Sequence, residues 1–337
     1  MNSRISLSRR RFSQWTLCAA TAVTMLPLSV RSNAMQANNL FEISLAQWSL
    51  HRSFFGPSLS EGFAKFASAL QADPDAVLQG ELDPLDFPRI ARESFSLGAV
   101  EYVNTFFFGH ADDAKYLQRL KANADANEVQ SLLIMCDALG AMGHPDGAER
   151  QSVIDRHKPW VDAAAYLGCH AVRVNAYSEG PLKDQQSLVA DGLSRLADYA
   201  SGGNIHVLVE NHGGISSDAG WLTAVIREAG HPYVGTLPDF GNFRIDDDRM
   251  YDRYLGVEEM MPFAKAVSAK SHDFDAQGNE RHTDYLRMLK IVLDAGYRGH
   301  VGIEYEGSEL SEPDGIRATQ TLLESTRHEL SSQYATG

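Results

Sequence analysis

Four apolar runs in the second half of this chain each end in a group able to bind a cation or move a proton. Val207-Leu208-Val209 runs into Glu210-Asn211-His212, and Val234 to Pro238 runs into Asp239-Phe240-Gly241-Asn242. The run from Ala266 passes Lys270 and reaches His272, and Val301-Gly302-Ile303 reaches Glu304. Glu210, Asp239, His272 and Glu304 follow one another at 29, 33 and 32 residues, about the length of one βα unit. A buried strand that ends in polar residues delivers them to the rim of a sheet. Gly213-Gly214 then lets the chain turn away. Four such ends are expected to converge on one point.

The rest of the chain repeats the alternation. Strand-like runs over 41–50, 98–104, 131–137 and 171–176 precede the four above, and segments with helical spacing lie between and after them. Eight strands alternating with eight helical stretches predict a parallel sheet. The near-continuous apolar character of the strands predicts burial on both faces. The expected fold class is α/β, a (β/α)8 TIM barrel forming a single domain over residues 35–337. No G-x-G-x-x-G motif follows any strand, which argues against an open nucleotide-binding sheet.

Residues 1–34 read differently. Ser8-Arg9-Arg10-Arg11-Phe12 is a twin-arginine arrangement, an apolar stretch runs from Trp15 to Val30, and Ser32-Asn33-Ala34 offers small residues for cleavage. The expectation is a twin-arginine signal peptide, export by the twin-arginine translocation machinery, and a periplasmic or exported protein. A basic tail on a cytosolic chain is the plainer alternative. A stable membrane anchor is disfavoured by Pro27 and the shortness of the stretch. The net charge is −14, and without the five arginines of residues 1–34 it is −19. Such a field repels polyanions, so nucleic acid is not an expected partner and sugar phosphates are disfavoured. Beyond the signal the cysteines are Cys136 and Cys169, most simply core residues, with a disulfide between them left open.

In a barrel of this kind functional groups lie at the C-terminal strand ends. Alone, a strand-end glutamate is usually a surface charge, and a lone histidine is usually a satisfied core residue. Three carboxylates and an imidazole on four consecutive strands are another matter, because burying them together without a cation is costly. The set Glu210, Asp239, His272 and Glu304 is therefore expected to hold one divalent metal ion, of the hard-oxygen kind: Mn, Mg, Co or Zn.

The order Glu, Asp, His, Glu on strands five to eight resembles the sugar phosphate isomerase/epimerase family of the xylose isomerase-like barrels. Val100-Glu101-Tyr102-Val103-Asn104, Val172-Arg173-Val174-Asn175 and Gly302-Ile303-Glu304-Tyr305 resemble it too, and the similarity covers roughly residues 41–330. The resemblance implies one divalent ion on the four ligands. Glu210 and Glu304 would be the catalytic pair, passing a proton on and off a sugar through an enediolate, with Asp239 and His272 mainly fixing the ion. Where the family often carries a histidine three residues after the aspartate, this chain has Asn242, which keeps a hydrogen bond but not a proton relay.

Around the ion we expect Glu101, Asn104, Arg173, His212, Asn242 and Lys270 to bind substrate, with Trp48 and His51 as a stacking wall. Arg173 has the alternative of bracing a glutamate, Lys270 of pairing with a carboxylate, and Trp48 of plugging the barrel. The expected activity is a metal-dependent isomerase or epimerase on an unphosphorylated sugar or sugar derivative. A carbon-oxygen lyase (or dehydratase) on keto-sugars or keto-glycosides would use the same enolisation. A DNA phosphodiesterase and a non-catalytic sugar-binding barrel are weaker alternatives, the first because of the acidic charge. An oligomer is possible, since relatives are often oligomeric.

Overall fold

The structure, a computed structural model, describes residues 40–334. The expected export signal lies outside the described residues. Eight strands run in one parallel sheet: β1 Glu42–Ala46, β2 Ala99–Val103, β3 Gln130–Met135, β4 Ala171–Val174, β5 His206–Glu210, β6 Val234–Leu237, β7 Val267–Ser271 and β8 His300–Tyr305. Neighbours follow chain order from β1 to β6, and β8 pairs with both β1 and β7. β6 and β7 approach through isolated parallel bridges, Thr236 with Ala264 and Asp239 with Ser268, which bring the curled sheet round on itself. The fold is the expected (β/α)8 barrel.

Each strand after the first is followed by one main helix. These are α4 Ala114–Ala126, α5 Gly147–Leu167, α6 Leu182–Ser201, α7 Ala219–Ala229, α8 Arg253–Met260, α9 Tyr285–Asp294 and α10 Glu312–Tyr334. The longer β1–β2 connection holds α1 His51–Phe55, α2 Phe63–Ala72 and α3 Phe87–Phe95. Helix starts follow a simple rule. Asp113, Asp146, Asp218, Asp252 and Asp284 each precede a helix and accept its free first-turn N–H groups. Part of the chain's acid surplus is thus set at the positive ends of helix dipoles. The first apolar run, expected to extend to Leu50, ends as a strand at Ala46 because Gln47–Leu50 winds into a 3-10 turn. Cys136 and Cys169 are both buried and unpaired. Among the described residues no helix is long and apolar enough to cross a membrane.

Strand parity assigns the barrel interior. On β8, Gly302 and Glu304 face inward, and across the β7–β8 register Ser268 lies opposite Gly302 and Lys270 opposite Glu304. One layer lower than Glu304, Glu101 on β2 accepts a 2.6 Å hydrogen bond from Ser44 on β1, which is itself in register with Gly302. Gly302 is there because nothing larger fits: a Cβ would stand 2.5 Å from Glu101 Oε1. Gly213 and Gly214, with φ of +81° and +62°, make the turn expected after Glu210-Asn211-His212.

Gly302→Ala should lower stability by about 1–3 kcal/mol through overpacking against the fixed Glu101 carboxylate. Urea unfolding measures it, and a midpoint equal to that of the parent chain would contradict the packing described.

Candidate active site

Glu210 ends β5, Asp239 lies two residues past β6, and Glu304 is the fifth residue of β8, so strand length alone brings three carboxylates to one level of the barrel. Each offers an oxygen within 4.8 Å of the others, and all three are buried. Every one has fixed partners. Asp239 Oδ1 accepts the N–H groups of Gly241 and Asn242, both at 2.7 Å. Asn211, buried behind it, accepts the Asp239 N–H at 2.8 Å and donates to the carbonyls of Asp239 and Asn242. Asn242 Nδ2 donates to Glu210 Oε1 at 3.2 Å. The loop after β6 is therefore pinned to the end of β5.

Ser268 Oγ lies 2.9 Å from Asp239 Oδ2 and 2.8 Å from Glu304 Oε2. A hydroxyl carries one proton, so it can donate to only one of them. The second contact is a hydrogen bond only if its carboxyl carries a proton. Asp239 is the group whose surroundings favour one: burial pushes its pKa above the usual range, and Glu210 and Glu304 add to this against the opposing pull of Lys270. Burial likewise raises Glu210, with Arg173 opposing and Glu304 reinforcing.

Two cations face this cluster. Arg173, buried on β4, has Nε 2.8 Å from Glu210 Oε2, an ion pair without hydrogen-bond alignment, and donates to Asp137 Oδ1 at 2.7 Å. Asn175 donates to the same Asp137 oxygen at 2.7 Å. Burial alone would raise the Asp137 pKa, yet the guanidinium overcomes it and holds the group at about 2. Lys270 Nζ, only 3% exposed, lies 3.2 Å from Glu304 Oε1, 3.3 Å from Glu306 Oε1, 3.4 Å from Asn242 Oδ1 and 3.8 Å from Asp239 Oδ2. Burial opposes its charge, and Glu304, Glu306 and Asp239 more than compensate, so its pKa is raised well above the ordinary lysine value.

Above the cluster opens a cavity of about 230 Å³ whose lining includes Trp48, Asp137, Arg173, His212, Glu304 and Glu306. His212 takes the place expected for it, 3.3 Å from the Tyr177 hydroxyl through Nδ1. Burial and the Arg173 charge lower its pKa to about 4, so the imidazole is neutral at pH 7. Trp48 lines the wall as expected, and His51 stacks behind it at 5.1 Å between rings rather than beside it in the cavity.

Three further expectations need correction. His272 does not join the carboxylates. β7 ends at Ser271, and the chain then leaves the barrel: the His272 N–H donates to Glu280, its ring stands edge-on to His282, and Phe274 bridges to Glu280. Glu101 faces the interior one layer too low, and lines a separate cavity with His170 and His300. Burial, opposed by the Ser44 hydrogen bond and aided by Glu304 and Glu210, raises its pKa to about 7. Asn104 exchanges hydrogen bonds with the backbone of Asp137 at 2.8 and 2.9 Å, so it positions that residue and does not line the cavity. Asp137 and Glu306 are the charged cavity residues that sequence reasoning missed, and Tyr177 is a polar one. Parity would have found Glu306, two residues after Glu304, and Asp137 ends the third apolar run just as Glu210 ends the fifth.

As carboxylates alone, Glu210, Asp239 and Glu304 could hold a divalent ion. The four-ligand centre expected from sequence does not fit these residues. The inward positions of β7 are Ser268 and Lys270, a hydroxyl and an ammonium, and the ammonium is already seated on oxygens of two of the three acids.

Fold and site together define a class: a single TIM barrel with a buried carboxylate cluster at the C-terminal mouth. More particularly, the chain belongs to the xylose isomerase-like TIM barrel family, whose model matches residues 92–326. A 61-residue segment is 38% identical to the alpha subunit of a C-glycoside deglycosidase from Arthrobacter globiformis. It spans 17% of this chain and 17% of that protein, about a sixth of the relative's length. The crystal structure of a 3-keto-D-glucoside 4-epimerase from E. coli, 15% identical, superposes with a TM-score of 0.59 over 73% of this chain and 95% of that one. A structure of L-ribulose 3-epimerase, 14% identical, gives 0.62 over 88% and 97%. At these identities the two structures establish a shared fold.

Arg173→Met should destabilise the protein by about 3–5 kcal/mol, because Glu210 and Asp137 would stay buried without their countercharge. Denaturant unfolding reads the loss, and a change under about 1 kcal/mol would show that the pair carries little.

Proposed function

We propose that the protein is a sugar isomerase or epimerase acting on an unphosphorylated, carbonyl-bearing sugar or sugar derivative, through an enediol and proton transfer between Glu210 and Glu304. The observation that carries this reading is the pair itself: two buried glutamates on β5 and β8, with oxygens within 4.8 Å, beneath a cavity at the barrel mouth. One carboxylate takes the proton from the carbon beside the carbonyl while the electron pair moves onto oxygen, and the other returns a proton. Asn242 orients Glu210, and Ser268 orients Glu304. Arg173 and neutral His212 are the cavity's donors to substrate oxygens. A cavity of about 230 Å³ suits one small ligand, being under the ~300–1,000 Å³ of typical ligand pockets. Asp137, Glu304 and Glu306 in its wall against one guanidinium repel a phosphate group.

Export fits this substrate class, and the twin-arginine reading of residues 1–34 is part of the proposal. A second reading is favoured by one finding, the segment similar to a C-glycoside deglycosidase subunit. The same enolisation on a 3-keto-glycoside can expel a leaving group at the β-carbon instead of returning a proton.

Incubation in D2O separates the two. Deuterium in an intact sugar supports isomerisation or epimerisation, release of an aglycone supports elimination, and neither product from free sugars or 3-keto-glycosides would overturn the proposal. Glu210→Gln and Glu304→Gln should each cut exchange by roughly 10²–10⁴. Because burial raises Glu210, its ionised form is lost at a higher pH than that of an ordinary glutamate. The rate should therefore fall as pH drops toward 5, and a kcat/KM profile flat from pH 8 to 5 would contradict this.

A further inference from the structure

We propose that Lys270 is the resident cation of this site, standing where a divalent ion would otherwise sit, so that the chain works without a metal. The inference rests on the proposed activity for its chemistry and on geometry alone for its placement. Four oxygens surround Nζ at 3.2–3.8 Å: Glu304 Oε1, Glu306 Oε1, Asn242 Oδ1 and Asp239 Oδ2. They come from the loop after β6 and from the end of β8 and the residue following it, so the ammonium ties together strand ends that a metal would join. It also sits in register opposite Glu304 on a strand that supplies no imidazole to the cluster.

Competition follows from distance. A divalent ion binds carboxylate oxygens at ~2.0–2.6 Å. Seated on Asp239 and Glu304, it would lie within a few ångströms of a buried ammonium held by the same two residues, and the two charges would repel. Ser268 reinforces the exclusion, since its hydroxyl already joins Asp239 Oδ2 to Glu304 Oε2. A hydroxyl standing on β7 between the two acids holds them together with a proton instead of a metal bond. During proton removal from substrate, Lys270 and Arg173 then supply the fixed positive charge on either side of the glutamate pair.

The protein is tested in three ways: metal content as isolated, then, after dialysis against EDTA, calorimetric titration with MnCl2 and solvent-deuterium exchange into sugar. The expectation is no stoichiometric metal on the isolated protein, no Mn²⁺ binding, and exchange unaffected by EDTA. Lys270→Met, with the ammonium gone, should gain Mn²⁺ binding, seen as a Mn²⁺-dependent rise in melting temperature, and should lose exchange on the order of 10²-fold in EDTA. One equivalent of Mn²⁺ bound by the parent chain, or exchange abolished by EDTA and restored by Mn²⁺, overturns the inference. So does a folded Lys270→Met that gains no Mn²⁺ binding. If Lys270→Met fails to fold, the parent titration still decides. If no sugar exchanges with or without Mn²⁺, the proposed activity fails while the titration continues to report on Lys270.

Discussion

A belt of ion pairs and hydrogen bonds at the barrel mouth is the constraint on which the rest depends. It runs from Asp137 after β3 through Arg173 on β4 to Glu210 on β5, on through Asn242 to Lys270 on β7, and ends at Glu304 on β8 and Glu306 just after it. Any one of these charges buried alone would be prohibitive, and together they are tolerable because each has a partner. The belt also completes what the backbone ladder leaves thin. β6 and β7 share only isolated bridges, one of which pairs Asp239 with Ser268, and the side chains of the same two residues hydrogen-bond. The seam of the barrel and the floor of the site are thus one piece of structure.

Much of this was legible in the sequence. Eight apolar runs at βα spacing specified the barrel, and strand-end position specified Glu210, Asp239 and Glu304. The reading failed where a strand stops. His272 has the right parity on β7, since Ser268 and Lys270 both face inward, but β7 ends one residue earlier and the chain turns toward Glu280. Parity cannot say where a strand ends. It also cannot say how deep a residue lies, and so Glu101, inward on β2 as expected, faces a cavity other than that of the site. Asp137 ends the third strand, outside the regular spacing of the acids on strands five to eight, and nothing in the sequence pairs it with Arg173, 36 residues on. The export signal concerns residues 1–34, outside those the structure describes.

The misplacement of His272 and the placement of Lys270 have one cause. β7 has room for two inward side chains at this height, and they are Ser268 and Lys270. A histidine ligand would have had to replace one of them. What the barrel holds at this seam is a hydroxyl bridging two acids and an ammonium paired with three, a donor set matched to carboxylate oxygens and poorly matched to a metal.

Acids still outnumber cations here. Glu210, Asp239, Glu304, Glu306 and Asp137 face Lys270 and Arg173, with Glu101 a layer below. Full ionisation is therefore resisted, and the surroundings decide which groups give way. Asp137 and Glu306 sit against a cation and are held low, whereas burial raises Asp239 and Glu210, with Glu210 and Glu304 adding to the first and Glu304 to the second. Carboxyls that keep a proton near neutrality beside carboxylates that do not are what a site needs to give a proton on one side and accept one on the other. The excess negative charge, read from sequence only as a surface that repels polyanions, thus acts inside the barrel as a means of setting protonation states.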